Sequence, residues 1–165
     1  MTRGDMTGEG IVVEEPDGLD GGRAMLEFIF LGVLTLVPLL YLVLAAFDLE
    51  RNVFAVTEAA REAGRAYSTA ADPGAAQARA SYAAGLALQD QGVSAAGMQV
   101  SYVPVAATCA GGGGGAESLA PSADFAVCVT RTFQLPGIPG YLAGRSNTVT
   151  GRYVVQVDDF RAAGR

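Results

Sequence analysis

Few residues in this 165-residue chain are able to do chemistry, and the most conspicuous is an acid at the edge of an oily segment. Glu27 stands at the mouth of an uncharged, mostly apolar run that reaches Phe47. An ionisable group in or beside a membrane is costly without a partner, which makes Glu27 a candidate functional carboxylate. A cut between Gly22 and Arg23 would place a new α-amine on Arg23, four residues before Glu27 and on the same helical face. Within one helix these charges would attract each other. Between packed helices, Glu27 would instead neutralise the terminal amine of a neighbouring subunit, so that assembly removes two charges from lipid together. The alternative is a boundary carboxylate that snorkels to the headgroups.

The remaining chemistry is narrower. The chain has no His, so neither a His-based triad nor a His-containing metal site can be built, and no catalysis is expected. Cys109 and Cys128 are two sulfurs without a His, which do not make a zinc site; no metal and no cofactor are expected. A disulfide between them would close a loop of about twenty residues and stabilise the fold by roughly 3 kcal/mol in the chain-entropy model. Such a bond requires an oxidising compartment, whereas two buried free thiols would not. Asp158 and Asp159 are adjacent near the C-terminus and read as a solvated strand end rather than an acid–base pair. The run Gly111 to Gly115 is not followed by Gly-Lys-Ser/Thr and reads as a flexible loop, not a phosphate cradle.

Positioning these residues falls to a segmented chain. Phe28 to Phe47 is 20 residues without a charge, 14 of them Leu, Ile, Val or Phe. As a helix it would be roughly 30 Å long, enough to cross a bilayer core, with insertion favoured by roughly 4 to 8 kcal/mol before penalties. Pro38 is tolerated in such a helix and predicts a slight kink. The competing reading is a buried core helix, for which so small a domain has little room.

Orientation is ambiguous from charge alone, because Arg3 and Arg23 precede the run while Arg51, Arg61 and Arg65 follow it. The cysteine pair argues that residues after Phe47 lie outside the cytoplasm. The acidic, Gly-rich leader before Arg23 lacks the apolar content for a core and is expected to be disordered. A net charge of −6 and the absence of Lys argue against a nucleic-acid partner, because neutralising a phosphate backbone requires a basic face.

Beyond the apolar run, Ala46, Leu49, Val53, Val56, Ala60, Ala63 and Tyr67 recur at spacings of three and four, a seam for packing against another subunit or the chain's own domain. Glu58, Arg61, Glu62 and Arg65 form i, i+3 pairs on the other side. Asp72-Pro73 predicts the cap of a second, Ala-rich helix that stops near Gln91-Gly92. Period-two alternation then predicts three strands: one from Met98 through Val100 and Tyr102, a second carrying Phe125, Val127, Val129 and Phe133, and a third over Thr148 to Asp158 with Val149, Tyr153, Val155 and Val157 on one side. In the second strand Ala126, Cys128 and Thr130 fall on the other face. Pro136-Gly137 and Pro139-Gly140 punctuate the last loop, where Ile138, Tyr141 and Leu142 are candidates to tuck inward.

The stretch GRAMLEFIFLGVLTLVPLLYLVL, followed by FAVTEAAREAGRAY, resembles actinobacterial TadE-like proteins, the minor pseudopilins of tight-adherence (Tad/Flp) pilus systems. Its Gly22, with Glu27 fifth after it and then a hydrophobic stem, is similar to the prepilin processing signature. The resemblance covers most of Gly22 to Tyr67. It implies a single-pass cell-membrane protein with an extracytoplasmic C-terminal domain. Its implied partners are membrane lipid, other pilins and pseudopilins, the pilus assembly platform and a prepilin peptidase. Gly22 and Arg23 would flank the cut, and Glu27 would be the assembly carboxylate. Arg at the first mature position is less hydrophobic than in major pilins.

The expected fold is therefore α+β and lollipop-like: leader 1–22, transmembrane helix 23–47, helical stem 48–70, and a small domain 71–165 holding the second helix and a three-stranded antiparallel sheet. A different class of function is also open. Val43-Leu44-Ala45 offers a signal-peptidase cut that would release a secreted domain starting near Ala46. An uncut chain would be a simple bitopic anchor.

Overall fold

A computed structural model describes residues 18–111, 115, 117–135 and 147–160. The leader before residue 18 and the apolar loop residues Ile138, Tyr141 and Leu142 lie outside the described residues, as does most of the glycine run. The fold is α+β, with a long N-terminal apolar helix, a second helix and a three-stranded antiparallel sheet. Helix α1 spans Gly18–Ser68 and so runs through the Gly22–Arg23 junction without a break. It also continues through Pro38, which deprives the Leu34 carbonyl of its usual donor.

The chain divides between Leu40 and Tyr41 into two units. In the first, the side chains from Met25 to Leu40 are exposed along α1. In the second, the last third of α1 is a core element rather than a free-standing stem. Ala55, Val56, Ala59, Ala60, Ala63 and Tyr67 are all buried there. This stripe is broader than the expected seam, because a helix lying on a sheet buries more than the two heptad positions of a coiled coil.

Helix α2 (Pro73–Asp90) starts and stops as its sequence predicts. The Asp72 carboxylate accepts the Ala75 N–H at 2.9 Å, and Pro73 occupies the first turn, where a missing N–H costs nothing. At the other end Gly92 adopts φ +65°. Its N–H reaches the Gln89 carbonyl while the Val93 N–H reaches that of Leu88, so the last carbonyls are satisfied by a left-handed turn that favours glycine. Ala76, Ala80, Ala84, Ala87 and Leu88 face inward.

Strands β1 (Met98–Val103), β2 (Asp124–Phe133) and β3 (Asn147–Gln156) form a meander in the order β1-β2-β3. Tyr102 pairs with Val127 and Val127 with Tyr153, placing Val100, Tyr102, Phe125, Val127, Val129, Val149 and Val155 on one face. That face and the buried sides of α1 and α2 share one hydrophobic core. Tyr153 belongs to the same face but lies at the margin, 37% exposed. Ala126 and Cys128 fall on the opposite face, yet both are fully buried, in a second small cluster with Val103, Ala107 and Cys109. The alternation of β2 is thus hidden over Phe125 to Val129, because the segment after β1 folds back over the outer face.

Candidate functional site

The residues expected to mark processing and assembly, Gly22, Arg23 and Glu27, belong to the first unit. Gly22, Arg23 and Glu27 are exposed along continuous helix, with Arg23 and Glu27 one turn apart on one face. Glu27 is followed by side chains left uncovered by the fold, including Phe28 at 77% and Phe30 at 69% exposure. The 20-residue apolar run has the length and composition of a membrane span, and none of its most hydrophobic window is buried by the rest of the chain. A soluble core helix would be covered, so the buried-helix reading finds no support in the packing.

The expected seam divides into two parts. Val56, Ala60, Ala63 and Tyr67 are fully buried inside the second unit, whereas Leu49 and Val53 are each 44% exposed. On the outer side of α1, Glu58–Arg61 and Glu62–Arg65 approach at 3.8 and 3.4 Å as exposed i, i+3 pairs. Such pairs contribute little.

Where α1 emerges from the apolar run, the fold assembles a polar cluster that the sequence reading did not single out. Asn52 is the one buried polar residue among those described. Its amide donates to the Asp48 carbonyl at 2.7 Å, and its Oδ1 accepts from Arg131 Nη1. Arg131 Nε donates to the Ser94 carbonyl at 2.7 Å, and its guanidinium lies 5.5 Å from the centre of the Phe133 ring. Arg51 clamps the same loop, donating from Nε to the Gln91 carbonyl and from Nη2 to the Gly92 carbonyl, both at 2.9 Å. Burial pushes the Arg131 guanidinium below its ordinary value, as expected for a cation held among carbonyls without a carboxylate. The signal was present in the sequence. Arg131 is in phase with Phe125, Val127, Val129 and Phe133, and Asn52 with Val56, Ala59 and Ala63; each is the polar exception on an apolar face.

The disulfide links Cys109 and Cys128 across a Cα separation of 5.7 Å, within the range that bond geometry allows. It pins the single 3-10 turn Cys109–Gly111 to the outer face of β2. In the core, Tyr67 packs against Tyr102 and Phe125 with ring centroids 4.7 and 5.0 Å apart. The Tyr67 hydroxyl donates to the Glu117 carbonyl at 2.9 Å. The Tyr102 hydroxyl is buried without a partner among the described residues.

No family model, curated protein or solved structure matches this chain.

Asp159 accepts from Ser122 at 2.7 Å and Asp158 from the Phe160 N–H at 2.8 Å, so each of the adjacent acids is engaged in its own local hydrogen bond. Among the described residues no group of three His, Cys, Asp or Glu converges on one point. The features with functional content are the uncovered apolar helix with Glu27 at its mouth, and the arginine cluster at its far end.

Proposed function

We propose that this chain is a TadE-like minor pseudopilin, a single-pass structural protein that contributes to the assembly or function of a tight-adherence (Flp-type) pilus and performs no catalysis. The observation that carries the reading is the order Gly22, Arg23, Glu27 followed at once by a 20-residue uncovered apolar helix. A helix of this kind gains from placement in lipid, and a carboxylate at its entrance gains from a cationic partner there. In this role the helix is the anchor, Glu27 is the partner of an α-amine created by cleavage after Gly22, and the exposed Leu49 and Val53 extend the contact surface toward other subunits. The disulfide-bonded unit lies on the oxidising side of the membrane and engages the pilus or its assembly platform.

The experiment is N-terminal sequencing of the protein recovered from membranes, with and without a co-expressed prepilin peptidase. A start at Arg23 that depends on the peptidase supports the pseudopilin reading. A start near Ala46 indicates secretion of the globular unit; a cut there would leave every buried residue of its core in place. An intact N-terminus in both samples reduces the protein to an uncleaved bitopic anchor, with Glu27 a boundary charge.

A further inference from the structure

Arg51 lies four residues past Phe47, about 6 Å of helix rise beyond the end of the apolar run. It and Arg131 line one cleft of about 290 Å³, together with Asp48, Asn52, Gly92 and Phe133 among others. Both guanidiniums are held in place from one side. Arg51 spends Nε and Nη2 on the carbonyls of Gln91 and Gly92, and Arg131 spends Nε and Nη1 on Ser94 and Asn52. Arg51 Nη1 and Arg131 Nη2 make no hydrogen bond to a described residue. Neither arginine has a carboxylate within ion-pair distance among the described residues, whereas Arg61 and Arg65 do. The charged residues lining the cleft are two cations and the single acid Asp48, a local excess of positive charge in a chain whose net charge is −6.

We infer that this cleft binds the phosphate of an anionic phospholipid headgroup in the leaflet where α1 leaves the membrane. Preoriented guanidiniums with free N–H groups match phosphate oxygens, and their prior anchoring by backbone carbonyls lowers the entropy lost on binding. One turn beyond the end of an apolar helix is the depth at which headgroups lie. The exposed Phe47 and Leu44, four and seven residues before Arg51 and so on its face of α1 toward the bilayer, supply an apolar flank for acyl chains. The inference rests on the membrane-anchored reading but not on the pilus.

The test is native mass spectrometry of the full-length protein in detergent, titrated in parallel with phosphatidylglycerol, phosphatidylcholine and inorganic phosphate. The expected result is one retained phosphatidylglycerol in preference to phosphatidylcholine. That binding should weaken about fivefold in Arg51→Gln, the loss of roughly one arginine contact, and be only partly restored in Arg51→Lys, which keeps the charge but not the guanidinium fork. Arg61→Gln, which makes the same change in net charge on the outer side of α1, should leave it unaltered. Equal retention of both lipids, or equal weakening in Arg51→Gln and Arg61→Gln, would overturn the site and leave Arg51 a clamp on the loop after α2. Displacement of the lipid by equimolar inorganic phosphate would assign the cleft to a free anion and overturn it equally. Carbonate extraction separates this failure from that of the anchor: release of the protein from membranes overturns both, and retention without lipid preference overturns the cleft alone.

Discussion

Gly151 on β3 lies directly against the backbone of Val56 on α1: a Cβ at position 151 would meet the Val56 carbonyl and stand 2.7 Å from the Thr57 nitrogen. This is the closest approach of helix and sheet among the described glycines with backbone neighbours on α1, and it explains why a strand otherwise rich in β-branched residues carries a glycine at its centre.

Gly151→Ala should therefore push α1 off the sheet and destabilise the second unit by about 1–3 kcal/mol or more, since backbone cannot move aside as a side chain can. Gly64→Ala is the informative comparison. Its Cβ would meet Val155 Cγ2 at 2.6 Å and Tyr153 Cδ1 at 2.8 Å, both side-chain atoms, and Tyr153 at the margin has room to rotate. Denaturant unfolding of the two variants in detergent should rank Gly151→Ala as the more damaging; the reverse order would contradict the observed packing.

The Cys109–Cys128 bond should stabilise the fold by roughly 3 kcal/mol, and its loss in Cys109→Ser/Cys128→Ser should lower the melting temperature measurably. Peptide mapping without reductant adds a topological readout. The linked pair should be found in protein inserted in cells and be missing when the segment before Tyr41 is deleted and the remainder is kept in a reducing cytoplasm.

The Tyr102 phenol is pushed up to about 12, first by burial and then by the neighbouring Tyr67. A folded-state value above the unfolded one near 10 means that the stabilisation is complete below pH 10 and is lost as pH rises toward 12, where the unfolded chain sheds the proton and the fold holds it. Stability should fall across that window in the parent protein. In Tyr102→Phe the slope should be shallower. That substitution also removes a buried hydroxyl with no partner among the described residues, so at neutral pH it should be neutral or slightly stabilising. A large loss of stability at neutral pH would instead reveal a partner for the hydroxyl.

Asp72→Ala should cost about 1 kcal/mol by freeing the Ala75 N–H, and Asp72→Asn should recover most of it. Helicity by circular dichroism and the unfolding midpoint would report the two changes together.

Much of this architecture was legible from local signals. The extent of α2 followed from Asp72-Pro73 and Gly92, because capping and left-handed turns depend on the few residues that make them. The three strands followed from alternation, and with two cysteines only one pairing was available. The apolar run and Glu27 at its mouth needed no tertiary information, since membrane crossing depends on length and composition.

Period alone shows which residues share a face but not what covers it. The sequence could place Leu49, Val53, Val56 and Ala60 on one seam; only the tertiary structure decided that Val56 and Ala60 are sealed against the sheet while Leu49 and Val53 stay open. It buried Ala126 and Cys128 on the face away from the main core, because the disulfide draws the preceding loop over them. It also joined Asn52 to Arg131, 79 residues apart, from two polar exceptions that looked unrelated along the chain. Local rules act within a turn or a strand. Coverage and long-range pairing depend on which surfaces the closed chain brings together, and here that closure set α1 against Gly151 and gathered Arg51, Asn52 and Arg131 where the helix leaves its apolar run.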